Sequence, residues 1–267
     1  MLDTAAQIAR FRGLLVTLTA RELKARYRGS ALGFLWSLIN PLLLLAVYSA
    51  VFGWILQPVR GGGVEPYALF LVSGLFPWIW FSSSLLEGSA SLVTHAGLIR
   101  KALFPAELLP TVAVAANLVH FLLALPVALA ALAIGRALGY PVAGWGTLAL
   151  PAVVLVQLPL AAGLALGLAA LTAHFKDMRD ILANLLTLLF FATPILYPIE
   201  AVPVAWMRAL VRANPLTPYT LAYQDVLFRG TLPEASLWLQ MAAVSLVGWA
   251  AGAWFFGRLK ETVVEAV

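Results

Sequence analysis

The sequence predicts an all-α integral membrane protein with six transmembrane helices, an N-terminal amphipathic interfacial helix, and short re-entrant or gate helices between spans five and six. Three observations predict it. Hydrophobic residues make up 62% of the 267 positions and charged residues only 11%, whereas soluble domains carry roughly 25% charge. The charges are clustered, so that six long uncharged stretches separate them. Lys and Arg are dense in alternate gaps, as expected of loops retained on the cytoplasmic side.

Residues 1–30 read as the interfacial segment. Ile8, Phe11, Leu15 and Leu18 recur at helical spacing among arginines, and Arg21, Arg26, Tyr27 and Arg28 close the segment. Such a helix lies on a leaflet, and two roles are open to it: a membrane anchor, or a contact with a partner subunit. The six-helix domain then occupies residues 31–267. Its expected spans are about 31–57, 66–92, 108–135, 147–173, 180–199 and 235–257, each near the roughly 20 apolar residues that cross a bilayer. The fourth uncharged stretch is over-long. Its turn-rich portion from Tyr140 to Gly146 moves the start of the span to Thr147.

Of the 17 Lys and Arg, 12 fall in the N-terminal segment, the second and fourth loops and the C-terminal tail, and 5 on the opposite side. Both termini are therefore expected in the cytoplasm. The net charge of +5 is then a topology signal, and nucleic-acid binding is not needed to explain it. The first apolar run is too long, and starts too far in, for a cleaved signal peptide; it is expected to stay as an anchor. The chain has no cysteine, which excludes a disulfide or a thiolate metal site.

Between the fifth and sixth spans, Pro194, Pro198, Pro203, Pro215 and Pro218 punctuate two short amphipathic pieces, Val204 to Ala213 and Tyr219 to Phe228. Broken helices of this kind suit a re-entrant or gate element covered by protein or water, the alternative being a plain outer loop. Gly29 and Gly33, Gly163 and Gly167, and Gly248 and Gly252 have the spacing that lets helices approach closely.

Few residues suggest chemistry. The three histidines are far apart in sequence, so no zinc-hydrolase motif exists and no metal site is expected. Asp177 and Asp180 could hold a magnesium diphosphate, but Lys176 and Arg179 alternate with them and suit self-neutralised interfacial charge instead. Glu87, Asn117, Gln157 and Asn184 fall within expected spans, where polar side chains are functional candidates or bridges between helices. The four lysines never follow glycine, so the chain lacks a phosphate-binding P-loop. No cofactor is expected in this chain; if it is ATP-driven, a separate subunit binds ATP and Mg.

Two sets of exposed or aromatic residues point to transport. Arg100, Lys101, Phe104, Pro105 and Glu107 form a short loop in which apolar residues sit beside charge, a pattern of interface anchors and also of a ring dipping into the lipid interface. Tyr48, Phe52, Phe76, Trp78, Trp80, Phe81, Phe190, Phe191 and Tyr197 cluster on the first, second and fifth spans. Their rings could line a path for sugars, or form an ordinary aromatic belt.

Four blocks carry a family resemblance. They are Arg21 to Leu43 (RELKARYRGSALGFLWSLINPLL), Leu98 to Pro110 (LIRKALFPAELLP), Phe175 to Pro198 (FKDMRDILANLLTLLFFATPILYP) and Asn214 to Gly230 (NPLTPYTLAYQDVLFRG). In this order they resemble ABC-2 type permeases of the O-antigen, capsule and teichoic acid exporters, with the first block most similar to the O-antigen branch. Lys176 and Gln224 depart from it, since arginine is usual at both places. The resemblance implies a homodimer of six-helix subunits in the bacterial cytoplasmic (inner) membrane, paired with two ATPase subunits. Together they would form a channel for an undecaprenyl-diphosphate-linked glycan. It also implies a non-catalytic role for this chain. Rival readings are an ABC-2 exporter of drugs or small lipids, a membrane enzyme acting on polyprenyl phosphates through Asp177 and Asp180, and a structural assembly subunit.

Overall fold

The computed structural model describes residues 2–30, 32–51, 64–101, 105–175 and 177–266. Among the described residues every regular element is helical. Two helices, α1 (Leu2–Arg10) and α2 (Arg12–Tyr27), precede α3 (Trp36–Ala50). The long α4 (Tyr67–Thr94) is followed by the short α5 (Ala96–Lys101), then by α6 (Leu108–Ala137) and α7 (Leu150–His174). After α8 (Met178–Ala192) come two short helices, α9 (Ala205–Ala213) and α10 (Thr217–Tyr223), and finally α11 (Ala235–Ala266).

Among the described residues, four stretches are long and apolar enough to cross a membrane: Tyr67–Thr94, Leu108–Ala137, Trp145–His174 and Ala235–Lys260. The first and fifth expected stretches hold α3 and α8, each 15 residues long as described. That is about 22 Å at 1.5 Å per residue, short of a bilayer core of about 30 Å. The single N-terminal helix of the sequence reading is two helices meeting at Phe11, whose backbone leaves helical geometry there. Ile8, Phe11, Leu15 and Leu18 are nonetheless all half-buried, while Val16 is exposed.

The core forms around α4, which packs against α6 on one side and α7 on the other. Leu71, Val72, Phe76, Trp80, Phe81 and Leu85 of α4 are all buried. The most extensive pairing is that of α7 with α11, and glycine explains it. A Cβ on Gly252 would overlap the Gly163 carbonyl, and one on Gly163 would overlap the Trp249 backbone. Their absence lets the two backbones touch, the arrangement by which small residues join helices in lipid. The third pair is different: Gly29 and Gly33 have positive φ and turn the chain between α2 and α3, so their spacing is that of a turn rather than of a helix contact.

The α2 helix, α5, the α7–α8 connection and the last turns of α11 lie at one end of the bundle, called here the terminal end. Lys260 of α11 meets Glu107 there, and His174 at the end of α7 meets Thr262.

Candidate translocation and coupling sites

Near the terminal end, α2 delivers Arg26 to the seam between α4 and α6. Its Nη2 donates to Glu87 Oε2 at 2.5 Å and its Nη1 to Asn117 Oδ1 at 3.4 Å. Asn117 Nδ2 in turn donates to Glu87 Oε2 at 2.6 Å and to the Ala113 carbonyl at 3.0 Å. Next along α2, the Tyr27 hydroxyl lies 2.8 Å from His120 Nδ1. Two polar residues that the sequence places inside separate spans are thus partners in one network, closed by an arginine from outside both. This is the cheapest way to keep a carboxylate and an amide among apolar helices, because each is hydrogen-bonded.

Arg26 also lies between two cavities. One, of about 300 Å³, is lined by Trp36, Asn40, Phe76, Trp80, His120 and Phe121, among others. The other, of about 480 Å³, opens among α2, α4 and α6 and carries Arg21, Glu22, Glu87, His95 and Arg179. The first combines aromatic faces with amide, imidazole and hydroxyl groups, a lining that can pack on the C–H faces of a sugar while hydrogen-bonding its edges. Trp80 stacks on Phe121 with ring centroids 5.5 Å apart and planes 17° apart. Phe121, absent from the sequence reading, follows Asn117 by four residues on α6, a spacing that places both on one helix face.

The other aromatic residues divide by direction. Phe76, Trp80 and Phe81 are 2–3% exposed. Trp78 turns toward α8, with its ring 5.8 Å from Phe190 and 6.2 Å from Phe81. Trp78 and Phe81 also border a narrow pocket of about 20 Å³ shared with Gln157, Tyr219 and Tyr223. Phe191 is 60% exposed, and the half-buried Tyr197 donates to the Phe191 carbonyl at 3.1 Å. Tyr48 belongs to α3, but its side chain, like Phe52, lies outside the described residues.

In the second-loop segment, Arg100 and Lys101 end α5; their side chains and Phe104 are also outside the described residues. Pro105 is half-buried. Glu107 is only 2% exposed and pairs with Lys260. Leu92, Ile99, Ala106, Leu109, Leu166 and Phe256 pack together around this segment. Arg21 and Arg28 are exposed on and just after α2. Asp177 and Asp180 open α8, where carboxylates complement the positive end of a helix.

At the far end, the two short amphipathic pieces have opposite fates. α9 exposes Trp206, Met207 and Leu210, whereas α10 is buried against α4, α7 and α11. Tyr219 OH donates to the Met241 carbonyl of α11 at 2.7 Å, and Tyr223 OH to Gln157 Oε1 of α7 at 2.8 Å. A π-helical turn, Gln224–Arg229, follows. Gln224 is fully buried and donates to the Pro194 carbonyl at 2.7 Å. Burial raises the Asp225 carboxyl above its usual range, opposed by the Arg229 guanidinium 2.8 Å away. Gly230, in left-handed geometry, ends the turn and accepts the Gly146 amide at 2.9 Å.

Long apolar helices around a partly buried polar network, with short broken helices at one end, define a polytopic membrane protein. The ABC-2 type transporter family model matches residues 13–228, and the chain belongs to that family. An O-antigen export system permease protein of Myxococcus xanthus is 40% identical over 264 residues, covering 98% of both chains. One of Klebsiella pneumoniae is 30% identical over 257 residues, 94% of both. A polysialic acid transport protein of Escherichia coli is 25% identical over 85% of this chain and 86% of the other.

Proposed function

We propose that this chain is the membrane permease subunit of an ATP-driven exporter that moves undecaprenyl-diphosphate-linked polysaccharide, of the O-antigen type, across the bacterial inner membrane. The observation that carries the reading is the similarity to an O-antigen permease over 98% of both chains, since it includes every block that a substrate or partner could touch. The lower identity to the polysialic acid transporter favours an O-antigen over a capsule substrate. The sequence has no Gly-Lys-Ser/Thr, so energy would come from two copies of a separate ATPase that binds ATP and Mg. Two copies of this chain, each with six spans and cytoplasmic termini, complete the complex.

In this reading aromatic side chains of the first, second and fifth expected spans line part of the path, α10 with its π turn is a re-entrant gate element, and the segment from Arg100 to Glu107, with the Glu107 side chain turned inward, docks on the ATPase. Copurification from native membranes, with mass spectrometry of bound lipid, tests it. The expected result is a stoichiometric ATPase and a polyprenyl-diphosphate glycan. Hydrolysis of a lipid diphosphate by the purified chain alone would instead identify a membrane enzyme.

A further inference from the structure

Glu107 stands out among the charged residues of the terminal end. It closes the connection that carries α5, yet its side chain is 3% exposed and its ionic partner among the described residues, Lys260, lies 153 residues away on α11. The second carboxylate oxygen is buried without a hydrogen-bond partner among the described residues. Lys260 is 42% exposed, so the desolvation falls on the Glu107 carboxylate, and attraction to a partner that still reaches water returns little of that cost. Stability alone therefore does not account for a buried carboxylate here.

Its position supplies a reason. The α7–α8 connection also reaches α11, through His174 Nε2 and Thr262 Oγ1 at 3.2 Å. Both described connections at the terminal end thus meet on the last turns of one helix. That helix is 32 residues long, or about 48 Å from end to end. Along it lie the backbone contact with α7 at Gly163 and Gly252, then Ser245 and Met241, both bound by Tyr219 of α10. A chain of contacts therefore runs from the α5 connection through Glu107 and Lys260 to a long helix whose other half holds the buried short helix of the far end.

We infer that Glu107 and Lys260 form a transmission link, positioning residues that convert movement of the α5 connection into movement of α11 and α10. The inference rests on the proposed pairing with an ATPase, which would act on that connection. Physical contiguity alone does not establish coupling; a double-mutant cycle does.

The test uses the full complex with its ATPase. Glu107→Gln, Lys260→Met, Lys260→Arg and the exchange of Glu107→Lys with Lys260→Glu are compared for complex yield, ATP hydrolysis and glycan exported per ATP. The two neutralising variants should keep yield and hydrolysis while the export ratio falls about fivefold or more, the range of typical coupling energies. Lys260→Arg should retain the ratio, and the exchange should recover part of it. An unchanged ratio in both neutralising variants, or effects that simply multiply in their combination, would overturn the link. In the chain without ATPase, Lys260→Met should also speed amide exchange in residues 105–109. Unchanged exchange there counts against the link even if no ATPase binds, whereas failure of the wild-type chain to retain an ATPase counts against the proposed function alone.

Discussion

The α7–α11 seam and helix α8 are built from much the same apolar residues, yet they do opposite things. At the seam, Gly163 and Gly252 bring two backbones into contact. Helix α8 buries Leu182, Leu186 and Phe190 but leaves Ile181, Leu185, Leu188 and Phe191 between 48% and 68% exposed. Hydrophobicity cannot separate the two faces of α8, because lipid tails accept leucine as readily as a protein core does. In a membrane, residue size at a contact carries the information that polarity carries in water.

Breaking the seam should have the largest effect. Gly252→Leu sets a side chain against the Gly163 backbone, which cannot move aside; a cost above about 3 kcal/mol is expected, the upper range for overpacking. The measure is the yield of monodisperse protein after mild detergent extraction. Wild-type yield would show that the seam is not a close contact. Arg26→Ala comes next: it takes the cationic partner from Glu87, which keeps its hydrogen bond from Asn117, and because both members of the ion pair reach water the loss should be about 1 kcal/mol. A thermal shift smaller than that of a surface control substitution would argue against the network.

Leu188→Ala on the exposed face of α8 should change stability by less than about 0.5 kcal/mol. Cysteines placed at Leu185 and Leu188 sharpen the point, since the native chain has none to interfere. Ready disulfide formation between copies would show that a second protomer covers this face; labelling by a lipid-soluble reagent without cross-linking would show that lipid does. The smallest effect is a labelling pattern with no functional loss. Single cysteines at Arg136 and Arg208 should react with an impermeant reagent from outside the cell, and ones at Arg12 and Lys260 should not. The reverse pattern would invert the proposed topology.

The all-helical character and four of the expected spans were legible in the sequence, because long uncharged stretches report directly on the bilayer. The glycine spacings of α7 and α11 were visible too, although spacing alone cannot say which helix meets which, and the same spacing at Gly29 and Gly33 belongs to a turn. Glu87 and Asn117 were each conspicuous as polar residues in apolar runs; their joining through Arg26 depends on packing across 61 and 91 residues. Glu107 was hidden, since a charged residue in a loop beside Arg100 and Lys101 reads as exposed. The direction of the aromatic rings was equally out of reach. α4 is surrounded by protein on most sides, so its rings show none of the one-sided periodicity that marks an amphipathic helix.

The attachment of α2 also sets an order of events during synthesis. Its partners Asn117 and His120 lie 91 and 93 residues further along the chain than Arg26 and Tyr27. At ribosomal rates of about 5–20 residues per second, α2 is complete roughly 5–20 seconds before those partners have been made. During that interval its half-buried face lacks the α6 surface against which it packs, and its final place is taken after α6 has been made. The α2 helix, made early, is thus fitted only once α6 exists.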